Sequence, residues 1–339
     1  MIAAPLRWGV LGAADIANKA VIPAILAAGG QMVALASRDL ERGGEIAAKF
    51  AIPQLCPSYE ALLEADLDAV YIPLPNSLHR PWTLRAVAAG KHVLCEKPMA
   101  LTAAEAREMG EAAADHGVVL AEAVMYRYHP RWHVIRELVG QGSLGGLRHI
   151  QGAFTFPLRQ ESDIRWDPAL GGGALYDVGS YLVNASRWLV GEPTRVLTRA
   201  QLRHGVVSDG SMLLEFKTPQ GAVSAELAYS FESAEHQRLE LIGTEASLTI
   251  PKPFTAWHEE AIPLWLSPAP GGTSRRVPTP AADPYREMVS AFTVRVGGGA
   301  LLPTEADDAE LGLRVLDAGH RSHVSGKWET PWAAASPIP

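Results

Sequence analysis

Hydrophobic runs of strand length alternate with amphipathic runs of helix length through the first 120 residues, and this alternation constrains the fold more than any other feature. Strands are predicted at 6–11, 32–36, 68–72, 92–95 and 118–121, with helices ending at about 28 and spanning 41–50, 78–89 and 102–116. Such alternation is typical of a parallel, doubly wound sheet. The sequence therefore predicts an N-terminal α/β domain over residues 1–122, whose ligands bind at the carboxyl ends of the strands.

The first predicted strand runs into a short turn, Gly12, Ala13, Ala14, Asp15 and Ile16, before the first helix. A strand, a tight turn and a helix form the context that a dinucleotide fingerprint requires. The pattern here is G-x-A-x-x-A, so the methyl group of Ala14 stands where a glycine would let the pyrophosphate approach. An ordinary βα turn is the alternative, and the strand–helix units that follow favour the nucleotide site.

The second predicted strand ends in Ser37, Arg38 and Asp39. An NAD site usually has an acidic residue here for the ribose hydroxyls, whereas an arginine accommodates the 2′-phosphate of NADP. Ser37 can donate a hydrogen bond to that phosphate, and Arg38 can contact it with two N–H groups. The pattern favours NADP over NAD. The alternative is that Asp39 only caps the next helix and Arg38 is solvated.

A proline-rich loop with Pro73, Leu74, Asn76 and His79 follows the strand at 68–72. The prolines hold an extended loop at the carboxyl edge of the sheet, where it would lie beside the nicotinamide and its ribose. The alternative role of Asn76 or Ser77 is to cap the next helix.

The strand at 92–95 ends abruptly in Glu96, Lys97 and Pro98. A buried strand that ends in this way delivers a carboxylate and an ammonium to the edge of the sheet where ligands bind. Lys97 is therefore predicted to be a catalytic lysine.

The remainder of the chain predicts a second domain over residues 123–330 and a flexible tail over 331–339. Strand-like runs joined by short turns indicate a mostly antiparallel sheet. These runs span 148–156, 196–202, 211–216, 222–229 and 237–241. Proline and glycine predict loop or edge structure over 251–284, and helices are predicted from Asp283 and over 304–323.

A glycine-rich stretch at 171–173 leads into a predicted helix on which Asp177 and Tyr181 stand four residues apart, and so on one face. The alternative is an ordinary helix with Tyr181 half buried and Asp177 placed near the N-terminus by the helix dipole. His129 and His133 are also four apart, but Pro130 lies between them and no third ligand is evident, so no metal site is predicted.

Composition limits the classes of partner. The 339 residues suffice for two domains, and the net charge of −7 argues against nucleic acid or an anionic membrane as the main partner. Cys56 and Cys95 are too few for a disulfide framework, which favours reduced thiols in the cytoplasm. Neither a signal peptide nor an apolar run long enough to span a membrane is found in the sequence.

Taken together, these motifs resemble the glucose–fructose oxidoreductase, inositol dehydrogenase and rhizopine catabolism (Gfo/Idh/MocA) family. The resemblance covers about residues 5–330 and rests on the motifs at 7–12, 36–39, 71–79, 89–98 and 172–181. Tyr181 stands where other members have a histidine, as in the NADP-linked branch of dihydrodiol and D-xylose dehydrogenases and glucose–fructose oxidoreductase. The resemblance implies a Rossmann domain and an α/β domain whose open sheet commonly mediates dimers, so a homodimer or homotetramer is expected.

The resemblance makes Lys97 and Tyr181 a catalytic pair, with Asp177 beside them. A free tyrosine has a pKa of about 10, and a nearby ammonium lowers that pKa. A shift to about 7 needs roughly 4 kcal/mol, which one charge at about 4 Å supplies at an effective dielectric of 20. Pro98 is expected to follow a cis bond that aims Lys97, and Glu96 to orient Lys97 or the nicotinamide ribose.

The expected activity is hydride transfer between NADP and a carbinol carbon of a sugar, cyclic polyol or trans-dihydrodiol. Arg127, Arg165 and Trp166 are candidates for holding that substrate. The expected cofactor contacts are Gly12, Ala13, Ala14, Asp15, Ile16, Ser37, Arg38, Pro73, Leu74, Asn76, His79, Glu96 and Lys97. The alternative function is a non-catalytic sensor that binds NAD(P) on the same fold, because the fold alone does not decide between them.

Overall fold

The computed structural model describes residues 5–256, 261–268 and 272–332 and divides into two compact units. The first unit comprises residues 5–128 and 283–310, and the second comprises residues 129–282 and 311–332, without the gaps. Most of the predicted tail, residues 333–339, lies outside the described residues. No helix in the described ranges is both long and apolar enough to cross a bilayer.

The first unit is built on a six-stranded parallel sheet. Its strands are β1 (Arg7–Leu11), β2 (Gln31–Ala36), β3 (Gln54–Cys56), β4 (Ala69–Ile72), β5 (His92–Cys95) and β6 (Leu120–Glu122). Their order is β3-β2-β1-β4-β5-β6. The direction of winding reverses between β1 and β4, so the crevice for a dinucleotide lies at the carboxyl ends of these two strands.

Five helices connect these strands, and side-chain caps begin three of them. The helices are α1 (Ile22–Ala27), α2 (Leu40–Lys49), α3 (Tyr59–Leu63), α4 (His79–Ala88) and α5 (Ala103–Asp115). Asp39 caps α2, Ser58 caps α3 and Thr102 caps α5, each by accepting a backbone N–H of the first turn. The cap on α2 is the alternative that the sequence left open for Asp39.

The chain returns to the first unit after most of the second unit has formed. Helix α8 (Pro284–Val296) begins at Asp283, as the sequence predicts, and packs against α1 and the 3₁₀ turn Met125–Tyr128. The rings of Trp8 and Phe292 lie 5.2 Å apart between centroids. The sequence prediction assigned residues 283–310 to the second domain, because no local pattern shows which core a helix will join.

The second unit is built on an eight-stranded sheet. Its strands are β7 (Leu147–Thr155), β8 (Arg195–Arg203), β9 (Val206–Thr218), β10 (Gly221–Ser230), β11 (His236–Gly243), β12 (Ala246–Pro251), β13 (Leu264–Pro268) and β14 (Arg275–Val277). Their order is β14-β13-β12-β11-β7-β10-β9-β8, and all neighbours are antiparallel except β7 and β10. The predicted fold class is confirmed, and β13 and β14 form one edge of the sheet.

Three further helices are α6 (Arg131–Gly140), α7 (Ser180–Val190) and α9 (Ala306–Ser325). Helix α7 packs on β7 and β10. A Cβ atom at Gly152 of β7 would lie 2.8 Å from Leu182 Cδ2, so the glycine makes room for the helix. This packing holds the first turn of α7, which carries Tyr181, against the sheet.

The start of β1 is joined to the residue before β4 by Arg7 and Asp68. The Asp68 carboxylate accepts hydrogen bonds from Arg7 N at 2.8 Å, Nε at 3.0 Å and Nη2 at 2.7 Å. The Arg7 guanidinium lowers the pKa of Asp68 below its usual value. A carboxyl group with a lowered pKa stabilises the folded state above its unfolded pKa of about 4, and this contribution is lost as the pH falls through the lowered value.

Asp68→Asn is expected to reduce the free energy of unfolding at pH 7 by about 1 kcal/mol, because half of the charge pair is lost at a partly exposed site. The difference from the unmodified protein should shrink at pH 3. Thermal unfolding followed by circular dichroism measures both effects. Asp66→Asn is the matched control, since Asp66 pairs with the same arginine but its side chain is 88% exposed. Equal losses of unfolding free energy in the two variants would contradict the stabilising role assigned to Asp68.

Candidate active site

Gly12 begins a turn at the carboxyl end of β1 with a conformation that favours glycine. Its φ is +115°, and a Cβ atom here would lie 3.0 Å from Leu74 Cδ2. The N–H of Gly12 donates to the carbonyl of Ala36 at 2.7 Å, which joins the ends of β1 and β2. The loops after β1 and β4 therefore meet at the switch point, with no side chain on Gly12 between them.

The turn leads directly into helix. Helical structure begins at Asp15 and passes through a π-helical turn, Ala17–Val21, into α1. Such turns are frequent at functional sites. Asp15 is exposed and pairs with Lys19 at 3.0 Å and with Arg42 at 2.6 Å. Because Gly12 leaves the approach open and a helix N-terminus follows, these residues fit the pyrophosphate of a dinucleotide.

Ser37 and Arg38 lie at the carboxyl end of β2. Ser37 is only 4% exposed, and its hydroxyl accepts the N–H of Asp39 at 3.1 Å. The Arg38 side chain is exposed, and no acidic partner is found for it in the described part of the chain. Asp39 is occupied as the cap of α2, so an exposed guanidinium without a carboxylate partner lies where a 2′-phosphate would bind.

The loop after β4 is held by a buried histidine. His79 is fully buried, with Nδ1 2.8 Å from the carbonyl of Pro98 and Nε2 2.7 Å from that of Leu74. Burial lowers the pKa of His79, and the two carbonyls act against this effect. Asn76 begins a 3₁₀ turn, and α4 starts without a side-chain cap, so the alternative capping role is not observed for this helix.

Glu96 and Lys97 follow β5, and Glu96 is held from two sides. Its Oε1 accepts the hydroxyl of Tyr71 at 2.6 Å, and its Oε2 accepts the N–H of Lys97 at 3.2 Å. Tyr71 is fully buried, and burial raises the pKa of its phenol well above the usual value. Lys97 is half-buried, and the bond from Lys97 to Pro98 is cis, as predicted.

Two side chains of this region were not identified from the sequence. Tyr71 lies inside a strand that is apolar throughout, and Glu122 is the last residue of β6. Glu122 is buried, and its Oε1 accepts the N–H of Met99 at 2.7 Å. The sequence offers one signal for Glu122, since a carboxylate at the end of a buried parallel strand lies at the edge of the sheet where ligands bind.

In the second unit, Arg165 binds Asp177. Arg165 Nε donates to Asp177 Oδ2 at 2.9 Å, and its Nη1 lies 3.1 Å from Asp163 Oδ2. Asp177 is the main cause of a raised pKa at Arg165. A Cβ atom at Gly172 would collide with the carbonyl of Arg165, so this glycine permits the two backbone segments to approach closely.

Tyr181 lies in the first turn of α7 and is 8% exposed. Its ring lies 5.6 Å from that of Phe154 and 5.3 Å from that of Phe254 between centroids. Asp177 precedes it in a π-helical turn, Leu175–Gly179, rather than in the α-helix predicted from the sequence. The wider turn ends at Gly179, where the ring of Tyr229 packs close, with 3.3 Å between Tyr229 Cδ1 and a Cβ built on Gly179.

The other two substrate candidates, Arg127 and Trp166, each contact residues of their own unit. Arg127 is buried and pairs with Asp308 at 2.6 Å in the first unit. Trp166, in the second unit, is 4% exposed and packs on Phe231, with the Arg203 guanidinium 5.1 Å from its ring. Their roles in substrate binding stay predictions. Among the residues that the structure describes, no group of three or more potential metal ligands occurs.

A Rossmann sheet with a lysine directly after β5, followed by a unit built on a large, mostly antiparallel sheet, is consistent with a nicotinamide-dependent oxidoreductase. Residues 6–124 match the profile of an oxidoreductase family with an NAD-binding Rossmann fold, and residues 132–249 match the GFO/IDH/MocA C-terminal domain. The chain belongs to the Gfo/Idh/MocA family. The predictions of family and of oxidoreductase class are confirmed.

Three relatives cover most of the chain. D-xylose 1-dehydrogenase (NADP(+)) 2 of Haloferax volcanii is 38% identical over 328 residues, which are 95% of this chain and 98% of that protein. dTDP-3,4-didehydro-2,6-dideoxy-alpha-D-glucose 3-reductase of Streptomyces violaceoruber is 40% identical over 306 residues, 87% of each chain. The crystal structure of KijD10, a 3-ketoreductase from Actinomadura kijaniata in complex with NADP and TDP-benzene, has a TM-score of 0.87 at 31% identity and covers 94% of this chain and 98% of that one.

Gly12→Ala is expected to weaken NADPH binding about tenfold, because the added methyl group would press on Leu74 and displace the turn that the pyrophosphate approaches. Quenching of protein fluorescence by NADPH measures the affinity. Gly29→Ala is the control, since Gly29 has a φ of +81° with nothing within 4 Å of a built Cβ. The control should lower thermal stability and leave the affinity unchanged. Unchanged affinity in Gly12→Ala would contradict the assignment of the turn.

Proposed function

We propose that this protein is an NADP-dependent oxidoreductase that interconverts a carbinol and a carbonyl group of a sugar, cyclic polyol or trans-dihydrodiol. The observation that carries the proposal is Lys97, held on a turn at the carboxyl end of β5 in a Rossmann unit. The NADP named for the xylose dehydrogenase and present in the KijD10 structure supports the choice of cofactor. No observation favours the non-catalytic sensor.

The proposed proton relay consists of Lys97 and Tyr181. The bound nicotinamide supplies the hydride chemistry. Tyr181 takes the proton from the substrate hydroxyl in oxidation and returns it in reduction, which requires the phenolate to be stabilised at neutral pH. The Lys97 ammonium provides this stabilisation electrostatically.

Asp177 is proposed to act as an ionised hydrogen-bond acceptor for the substrate beside Tyr181. Its bond to Arg165 fixes the orientation of the carboxylate. Arg165 is accordingly assigned to positioning Asp177. Asp163 orients Arg165 from the other side.

For the substrate we propose only a chemical class, and the oligomeric state stays a prediction. A sugar, either free or linked to a nucleotide, is favoured because relatives act on D-xylose and on a dTDP-linked deoxysugar. A homodimer or homotetramer through the open sheet and a location in the cytoplasm stay predictions from the sequence.

Arg38→Gln is expected to reduce the preference for NADP over NAD by about 30-fold, because a charge-assisted hydrogen bond is worth about 2 kcal/mol. The ratio of kcat/KM for the two cofactors measures the preference. Lys49→Gln removes a positive charge from the nearby surface of α2 and is expected to leave the ratio unchanged. A wild-type protein that reduces NAD much faster than NADP would refute the role given to Ser37 and Arg38.

Lys97→Met and Tyr181→Phe are each expected to reduce turnover by at least 100-fold while NADPH affinity changes less than threefold, because these groups contribute more to proton transfer than to nucleotide binding. Turnover is followed by NADPH absorbance with D-xylose, other aldoses, polyols, trans-dihydrodiols and a dTDP-linked keto sugar. Arg80→Gln, on the exposed face of α4, is the control.

Full activity in the Lys97 variant would disprove the relay. Tight NADPH binding without turnover of any substrate in the panel would favour the sensor instead.

A further inference from the structure

Two buried ionisable side chains hold the peptide group between Pro98 and Met99 at both of its ends. The carbonyl oxygen of Pro98 lies 2.8 Å from His79 Nδ1, and the N–H of Met99 donates to Glu122 Oε1 at 2.7 Å. His79 is fully buried, and Glu122 is 7% exposed. This peptide group follows Lys97 and Pro98 directly.

Each of these side chains also links the turn to a neighbouring strand or loop. His79 Nε2 lies 2.7 Å from the carbonyl oxygen of Leu74, on the loop after β4. The N–H of Glu122 donates to the carbonyl of Thr304 at 2.8 Å, and Glu122 lies beside Cys95 where β6 pairs with β5. The turn that carries Lys97 is therefore fixed from one side by the loop after β4 and from the other by β6.

Burying the carboxyl group of Glu122 is energetically unfavourable if its hydrogen bond to Met99 N only closes a loop. Removing a charged group from water costs much more than removing an amide of the same size, and an amide oxygen could accept the same N–H. A carboxylate forms the shorter and stronger bond. Such a bond is useful where the backbone must be held in one place.

We propose that Glu122 and His79 are positioning residues for Lys97. The proposal rests on the catalytic role given to Lys97 above. The lysine side chain is long and flexible, so the place of its ammonium depends on where the backbone of the turn is held. Misplacement of a catalytic group by about 1 Å can reduce the rate by about 100-fold.

The test uses Glu122→Leu, Glu122→Gln and His79→Phe in the full-length protein. Leucine and phenylalanine fill the space without the hydrogen bonds, whereas glutamine keeps an acceptor oxygen. Two controls remove similar bonds elsewhere. His92→Phe removes the bond from Val119 N to His92 Nδ1, of 2.9 Å, at the opposite end of β5. Glu105→Leu removes the bond from Leu101 N to Glu105 Oε2, also of 2.9 Å, at the start of α5.

Two readouts separate positioning from stability. The first is kcat, compared with NADPH affinity from fluorescence and with the unfolding temperature. The second needs no substrate: it is the rate at which acetic anhydride acylates Lys97 relative to Lys19, whose side chain is 68% exposed, as measured by peptide mass spectrometry.

Glu122→Leu and His79→Phe are expected to lower kcat by about 100-fold and to change the relative acylation of Lys97 at least fivefold, with NADPH affinity kept within threefold. Glu122→Gln should recover kcat to within fivefold of the wild type. The two controls should lower the unfolding temperature only.

Unchanged kcat and unchanged acylation in Glu122→Leu and His79→Phe would overturn the proposal, and so would equal effects in the controls. If Glu122→Leu does not fold, His79→Phe decides. Failure of the proposed function is distinguishable, because it appears as full activity in Lys97→Met, whereas the acylation rate still reports whether Lys97 is held in place.

Discussion

Where the strands of a parallel sheet end, the backbone N–H and C=O groups no longer have hydrogen-bond partners in neighbouring strands. The loops at the carboxyl edge of the first unit depend on other groups that form these hydrogen bonds. Side chains take over this role after β4 and β5. His79 lies against two carbonyl oxygens and Glu122 accepts one N–H, while Tyr71 holds Glu96. As a result, the loops after β4 and β5 are held in defined positions by side chains, at the edge of the sheet where a dinucleotide binds.

The fold and most of the cofactor region could be predicted from local sequence. The alternation of strand and helix patterns predicts a doubly wound sheet. A glycine directly between a predicted strand and a predicted helix also predicts the tight turn at Gly12. The position of Lys97 at the carboxyl edge of the sheet was predictable because a buried strand that ends in Glu-Lys-Pro delivers these side chains there. In each of these cases the physical cause lies within about ten residues of the effect.

The parts that were not predicted depend on partners far apart in sequence. Met99 and Glu122 are separated by 23 residues and His79 and Pro98 by 19, so neither bond leaves a local pattern. The π-helical turn before Tyr181 ends at Gly179, which packs against Tyr229 of β10, far along the chain. The pairing of Arg165 with Asp177, which are 12 residues apart, was likewise not predicted.

The return of residues 283–310 to the first unit has a consequence for synthesis of the chain. Domains usually fold in the order in which they leave the ribosome. Here Trp8 is made near the start, but its ring partner Phe292 is made only after the fourteen strands that the structure describes have been translated. The sheet of the second unit can therefore form while the core of the first is still incomplete. The nucleotide-binding unit is begun first during translation, but its last segment, residues 283–310, is made only after the sheet of the second unit, so this unit is incomplete until synthesis is nearly over.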